Sequence, residues 1–169
     1  GIVFIGPTPA TLESLGDKAT ARELAAACGV PVLAGTGVLT DATMAEAFVA
    51  ALGPNRSLIL KAVAGGGGRG MRVIGDRSEI VDALERCRSE AAAAFGRGDI
   101  YAEQFVPAAR HIEVQIVGDG TGGIVHLGER ECTLQRRHQK LVEMAPAPGL
   151  DPDLRAALCS AAVTMAERL

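Results

Sequence analysis

The run Gly65-Gly66-Gly67-Gly68-Arg69-Gly70 is the first place where residue type and spacing point to chemistry. Glycines carry no Cβ, so their backbone N–H groups can approach phosphate oxygens closely. The G-x-G-x-x-G spacing at Gly65, Gly67 and Gly70 matches a dinucleotide-binding turn, but such a turn opens a helix. Here Met71-Arg72-Val73-Ile74 follows and reads as a strand. A Walker A loop ends in Gly-Lys-Ser/Thr, and a kinase loop has its lysine on the strand after it. This loop ends in Gly70-Met71-Arg72, and Lys61 stands on the strand before it. What remains is a β-hairpin with a glycine tip and a lysine on one arm, whose ammonium is a point charge for phosphate. A mobile surface loop is the plain alternative, set against the chain entropy that consecutive glycines cost.

Two further constellations lie downstream. In His111-Ile-Glu-Val-Gln115-Ile116, period-2 geometry puts His111, Glu113 and Gln115 on one face and the aliphatic residues on the other. A solvated strand edge explains the polar face equally well, though histidine is unusual there. The segment Glu129 to Glu143 gathers Arg136, Arg137, His138 and Lys140 within a few positions and runs into the stiff Ala145-Pro146-Ala147-Pro148. Such a cluster suits an anionic ligand; a solvated basic turn is the alternative. The cysteines, Cys28, Cys87, Cys132 and Cys159, form no C-x-x-C pair. They read as reduced thiols of a cytoplasmic protein.

The elements that must position these residues are mixed. Gly1 to Ile5 reads as a strand, Thr8-Pro9 starts a short helix, and Asp17 caps a second with Ala21, Leu24, Ala25 and Cys28 inward. Residues 31–39 read as extended and linker-like. Thr43 and Glu46 fit a capping box for a helix burying Met44, Ala47, Phe48 and Ala51. Leu58 to Val63 and Met71 to Ile74 are the arms of the glycine hairpin. Ser78 is the expected cap of a helix burying Ile80, Ala83, Leu84, Cys87, Ala91 and Phe95. Strands follow at Ile100 to Val106, Arg110 to Val117 and Ile124 to Gly128, and Asp151-Pro152 caps a last helix with Leu154, Leu158, Ala161 and Met165 inward. The class is α+β. The missing initiator Met and the unfinished amphipathic pattern at Leu169 suggest a piece of a longer protein.

Composition excludes several classes. At 48% hydrophobic and 22% charged residues the chain is not disordered. A net charge of −3 and an aromatic content of 3%, with no Trp, argue against nucleic-acid binding. No apolar run approaches the length of a membrane span.

Read together, Phe4-Ile-Gly-Pro7, Gly16-Asp17-Lys18, Lys61 to Met71, Arg110-His-Ile-Glu-Val-Gln115 and Glu129-Arg-Glu-Cys-Thr-Leu-Gln-Arg-Arg-His-Gln-Lys140 stand in the same order as in biotin carboxylases. The chain resembles the central part of that ATP-grasp subunit or domain along its whole length. Gln-Arg-Arg-His-Gln-Lys is the most specific element. The resemblance implies three parts: the end of an N-terminal domain with its helical linker at 1–33, the ATP-grasp lid at 34–106, and the start of the C-terminal ATP-grasp subdomain at 107–169.

It also implies roles. Lys18 and Lys61 resemble the phosphate-binding lysines, and Gly67 and Gly68 the turn that covers the phosphates. Glu103, Gln104, Phe105 and Val106 resemble the adenine hinge, with Glu103 accepting from the adenine amino group. His111, Gln135 and His138 resemble ribose and phosphate contacts, and Lys140 a bicarbonate contact with a part in catalysis. Gln104 stands at a hinge position often filled by Lys. The implied substrates are ATP, with Mg²⁺ or Mn²⁺, bicarbonate, and biotin on a carboxyl carrier domain; the family's metal ligands fall outside this chain, so no metal ligand is assigned within it. A carboxyltransferase component chooses the final acceptor, and the parent protein is expected to be a homo-oligomer. Another ATP-grasp ligase, such as one making carbamoyl phosphate, shares the lid but should lack the Gln-Arg-Arg-His-Gln-Lys run. A nucleotide-binding regulatory module without turnover is the reading from a different class.

Overall fold

Alternation of side chains decides which residues of the first sheet face the core. The computed structural model describes every residue except Gly1, Val3, Asn55 and Gly67. The described residues form two compact units, one of Gly1–Glu23 with Pro31–Val106, the other of Leu24–Val30 with Pro107–Leu169.

The first unit holds helices α1 (Pro9–Gly16), the start of α2 (Lys18–Ala27), α3 (Ala42–Leu52) and α4 (Ile80–Phe95), and strands β1 (Gly35–Val38), β2 (Ser57–Ala62), β3 (Met71–Ile74) and β4 (Ile100–Phe105). The sheet has the order β1-β4-β2-β3, with antiparallel pairs throughout. Leu58, Leu60 and Ala62 of β2 and Ile100 and Ala102 of β4 join Ala45, Val49, Ile80, Leu84, Cys87 and Ala91 in one buried core. By the period of two, Ile59 and Lys61 of β2 and Tyr101 and Glu103 of β4 share the opposite face. The helices are stopped by glycines that accept left-handed backbone, Gly53 at φ 89° and Gly96 at φ 74°.

The second unit pairs β5 (Ile112–Gly118) with β6 (Ile124–Glu131) antiparallel, and α5 (Pro152–Ala166) buries Cys159. A small hairpin, β7 (Gln135–Arg136) and β8 (Gln139–Lys140), carries the basic run. No helix of the described residues is long and apolar enough to cross a membrane. All four cysteines are free.

Several expectations are corrected. Of the expected first strand, Gly1 and Val3 lie outside the described residues, and Ile2, Phe4 and Ile5 are exposed and in no strand. No neighbouring strand among the described residues takes up their backbone groups. The linker-like 31–39 contains β1, because its backbone pairs with β4. The third helix is capped by Asp41, which accepts from the Met44 N–H at 3.2 Å, and not through Thr43. A start two residues earlier rotates the inward face onto Ala45 and Val49, with Phe48 packed at its edge, and leaves Met44, Ala47 and Ala51 exposed. Asp76 rather than Ser78 accepts at the next helix start, and a 3₁₀ turn over Arg77–Glu79 precedes α4. His111 precedes β5, and a register shift between Val114 and Ile116 interrupts the strict alternation. Leu154 is 50% exposed; Cys159 takes the inward place.

Candidate functional site

Lys61 lies on the sheet face opposite α3 and α4, two residues along from Ile59, the register partner of Glu103. Diagonal neighbours on one face are within reach of long side chains. Lys61 Nζ accordingly pairs with Glu103 Oε2. Arg22, from α2, pairs with Glu103 Oε1. Glu103 is only 6% exposed, so its carboxylate is buried between two cations.

Lys18 opens α2 after Asp17, whose carboxylate accepts from the Ala19 and Thr20 N–H groups at 3.0 and 3.1 Å. Its ammonium donates to the Gly65 carbonyl and, at 3.4 Å, to the Val63 carbonyl. Burial and the neighbouring Lys61 lower the Lys18 pKa, against a smaller raising effect of Asp17. The two lysines therefore converge at the root of the glycine loop. Gly65 has φ 83°, and a Cβ there would meet the Phe95 ring at 2.3 Å. The position demands glycine on both counts. Gly68 has φ 77°, and Gly67 lies outside the described residues. Gln104, whose N–H donates to the Ala34 carbonyl at 2.9 Å, and Phe105 end β4, and Val106 follows exposed.

The second unit gathers the other expected residues. Cross-strand register places Glu113 opposite Arg130. Arg130 Nε donates to Glu113 Oε1 at 3.0 Å and Arg130 Nη1 to Gln115 Oε1 at 3.0 Å. Lys140 Nζ pairs with Glu113 Oε2, and His111 Nε2 lies 3.7 Å from the same oxygen. The hydrogen bond from Lys140, helped by Arg130 against desolvation, holds the Glu113 pKa down at about 2. The same pair raises that of Lys140. Gln135 Nε2 lies 2.8 Å from His111 Nδ1 and donates to the Cys132 carbonyl at 2.9 Å. Gln135 and Lys140 are partners in the β7–β8 hairpin, while His138 sits in its turn, exposed, with φ 63°. His111, Gln135 and Lys140 are thus brought together; His138 is held beside them by the backbone of the turn.

Glu113, Cys132 and Glu143 approach closely enough to suggest a metal site. The set does not fit Mg²⁺ or Mn²⁺. One donor is a buried thiol, whereas Mg²⁺ takes oxygen ligands. Its carboxylates are already matched by Arg130 and Lys140.

Sequence reasoning gave no role to three residues that build these clusters. Arg22 stands four positions after Lys18, so it shares that helix face. Glu113 was legible as a polar strand position. Arg130 is found only through the β5–β6 register.

Comparison with known proteins gives the family and the fold. Residues 17–169 match the family model described as "Carbamoyl-phosphate synthase L chain, ATP binding domain". Pyruvate carboxylase of Aspergillus niger is 51% identical over 168 residues, covering 99% of this chain and 14% of that protein. A crystal structure of a biotin carboxylase–β-γ-ATP complex from Campylobacter jejuni superposes with a TM-score of 0.92 at 43% identity, over 97% of this chain and 36% of that one. The biotin carboxylase domain dimer of Hydrogenobacter thermophilus 2-oxoglutarate carboxylase, solved with MgADP, ADP and bicarbonate, gives 0.92 and 43% over 99% of this chain and 37% of that one. The chain therefore spans about one seventh of the length of the curated relatives it matches.

Proposed function

The chain belongs to the carbamoyl-phosphate synthase L chain ATP-binding domain family and has the ATP-grasp fold of biotin carboxylase domains, and from that premise we propose that it is the central part of a biotin carboxylase. Its reaction is the ATP- and bicarbonate-dependent carboxylation of biotin. A bicarbonate oxygen attacks the γ-phosphorus of ATP and ADP leaves. The resulting carboxyphosphate breaks into CO₂ and phosphate, the phosphate takes the N1 proton of biotin, and the deprotonated N1 captures the CO₂. Little covalent chemistry falls to the protein in such a transfer; it positions the groups and neutralises charge.

The observation that carries the reading is the convergence of Lys18 and Lys61 at the root of a glycine hairpin, beside a buried Glu103. In this role Lys18 and Lys61 take phosphate oxygens, and the amides around Gly68 and Gly67 cover them. Glu103 accepts from the adenine amino group, and the backbone of Gln104, Phe105 and Val106 reads the ring edge. His111, Gln135 and His138 contact ribose or phosphate. Lys140 meets bicarbonate. The ATP brings its metal ion as a substrate complex. Residues 34–106 act as the lid, 1–33 as the linker before it and 107–169 as the start of the next subdomain. The partners are a biotin carboxyl carrier domain and a carboxyltransferase, in a homo-oligomeric parent, and the four free thiols support a reducing, cytoplasmic setting.

Biotin-dependent phosphate release by the full-length parent protein tests this, at saturating Mg-ATP and bicarbonate; the 169-residue chain alone is expected to be inactive. Release that needs all three substrates is expected. Nucleotide binding without biotin-dependent release would favour a regulatory nucleotide binder, and release with ammonia in place of biotin would favour a carbamoyl-phosphate-forming ligase.

A further inference from the structure

We propose that Arg22 is a positioning residue of the nucleotide site, holding the Glu103 carboxylate so that Lys61 is free to leave it for a phosphate. The proposal rests on the phosphate-binding role given to Lys61 above. Glu103 is buried, with one carboxylate oxygen on Arg22 and the other on Lys61. Removing one partner from a buried ion pair leaves an uncompensated charge, which is strongly unfavourable. Were Lys61 the lone cation at Glu103, moving it to a phosphate would strand that charge and hold the lysine captive. Arg22 removes this obstacle, because it remains when Lys61 goes.

The two cations are built for these different parts. Arg22 is fixed from its far side: its Nη2 donates to the Leu33 carbonyl at 2.5 Å. The guanidinium also lies over Gly35, where an added Cβ would come 2.7 Å from that same nitrogen. Arginine's planar fork can serve Glu103 and Leu33 at once. Lys61 carries its charge on a flexible stem, is 26% exposed at its side chain, and pairs with Glu103. The i, i+4 spacing of Lys18 and Arg22 on α2 brings the fixed cation to the same side as the second phosphate-binding lysine.

The test compares adenosine, ADP and ATP binding to the full-length wild type and to Arg22→Met, adenosine being read by competition against a fluorescent nucleotide. In Arg22→Met, ADP and ATP should weaken by about tenfold or more, since Lys61 stays on Glu103, while adenosine keeps its affinity. In a Glu103→Gln background, whatever that change costs the adenine contact, adding Arg22→Met should change ATP affinity by less than about threefold, because a neutral amide does not hold the ammonium. Arg22→Lys retains the charge next to Glu103 and should lose less than Arg22→Met, which keeps the question open to measurement if the Met variant folds poorly. Equal weakening of adenosine and ATP by Arg22→Met, unchanged ATP binding, or an undiminished loss from Arg22→Met in the Glu103→Gln background would overturn the proposal. A wild type that binds no adenine nucleotide would instead overturn the function proposed above.

Discussion

Replacing Glu113 by Gln removes the carboxylate that Lys140, Arg130 and His111 share, and the size of the effect follows from the structure. Two cations hold the Glu113 pKa at about 2, from an ordinary 4.5. At 1.36 kcal/mol for each pH unit, that difference sets a ceiling of about 3 kcal/mol on the stability gained from ionised Glu113. The side chain is 22% exposed and its partners reach solvent, so screening reduces the gain to about 1–2 kcal/mol. The pKa is depressed on folding, so the gain is complete above the unfolded value and is lost as pH falls through the folded one. By pH 3 only about two-fifths of it remains. Urea titrations of the wild-type and Glu113→Gln chains at pH 7 and pH 3 measure this directly. The variant should be less stable at pH 7, and the gap should shrink by more than half at pH 3, where a protonated Glu and a Gln are nearly equivalent. A gap of the same size at both pH values, or none at pH 7, would refute the assignment of Glu113 as an ionised hub.

Lys61→Ala should weaken ATP binding about tenfold to a hundredfold, the loss of a charge-assisted phosphate contact, with an unchanged circular dichroism spectrum; titration calorimetry checks it. Lys140→Ala should raise the KM for bicarbonate more than that for ATP, and steady-state kinetics showing the reverse would take Lys140 away from the anion. Gly65→Ala forces a Cβ against the Phe95 ring at φ 83° and should cost about 1–3 kcal/mol in thermal unfolding. Gly66→Ala, with open space around it, should melt close to wild type.

The elements read most easily from sequence were those with long, one-sided apolar patterns. The inward face of α4, Ile80, Ala83, Leu84, Cys87 and Ala91, is the face the 3.6-residue period marks. The glycine hairpin was legible because the glycines stand between two short apolar strands, which pair as β2 and β3. The start of helix α3 was misread by two residues because Asp41 and Thr43 are both good caps. Only the hydrogen bond to the Met44 N–H decides between them. The extended run at 31–39 could not be told from a linker, since its strand identity lies in pairing with residues some 65 positions away, as Gly35 with Glu103. Tertiary pairing likewise brings Arg130 to Glu113, across the β5–β6 register, and Arg22 of α2 to Glu103. A linear pattern names candidate charges; it does not say which charges neutralise each other.

The basic hairpin shows where local preference and chemistry pull apart. Its two-residue turn places Arg137 at φ 52° and His138 at φ 63°. A tight turn between strands favours positive φ at both central residues, which Asn-Gly supplies with little strain. For residues with a Cβ, left-handed backbone costs about 1–2 kcal/mol each. The flanking pairs Gln135–Lys140 and Arg136–Gln139 fix the turn's length, so the strain is not relieved by a longer loop. A purely structural turn would have no reason to keep Arg137 and His138 in these positions. Strained residues that persist at a surface point to a role for their side chains, and here both are basic or potentially cationic and adjoin Lys140. The strain at this turn, like the buried carboxylate of Glu103, stands against local stability, and it fits the anion-binding role proposed for this hairpin.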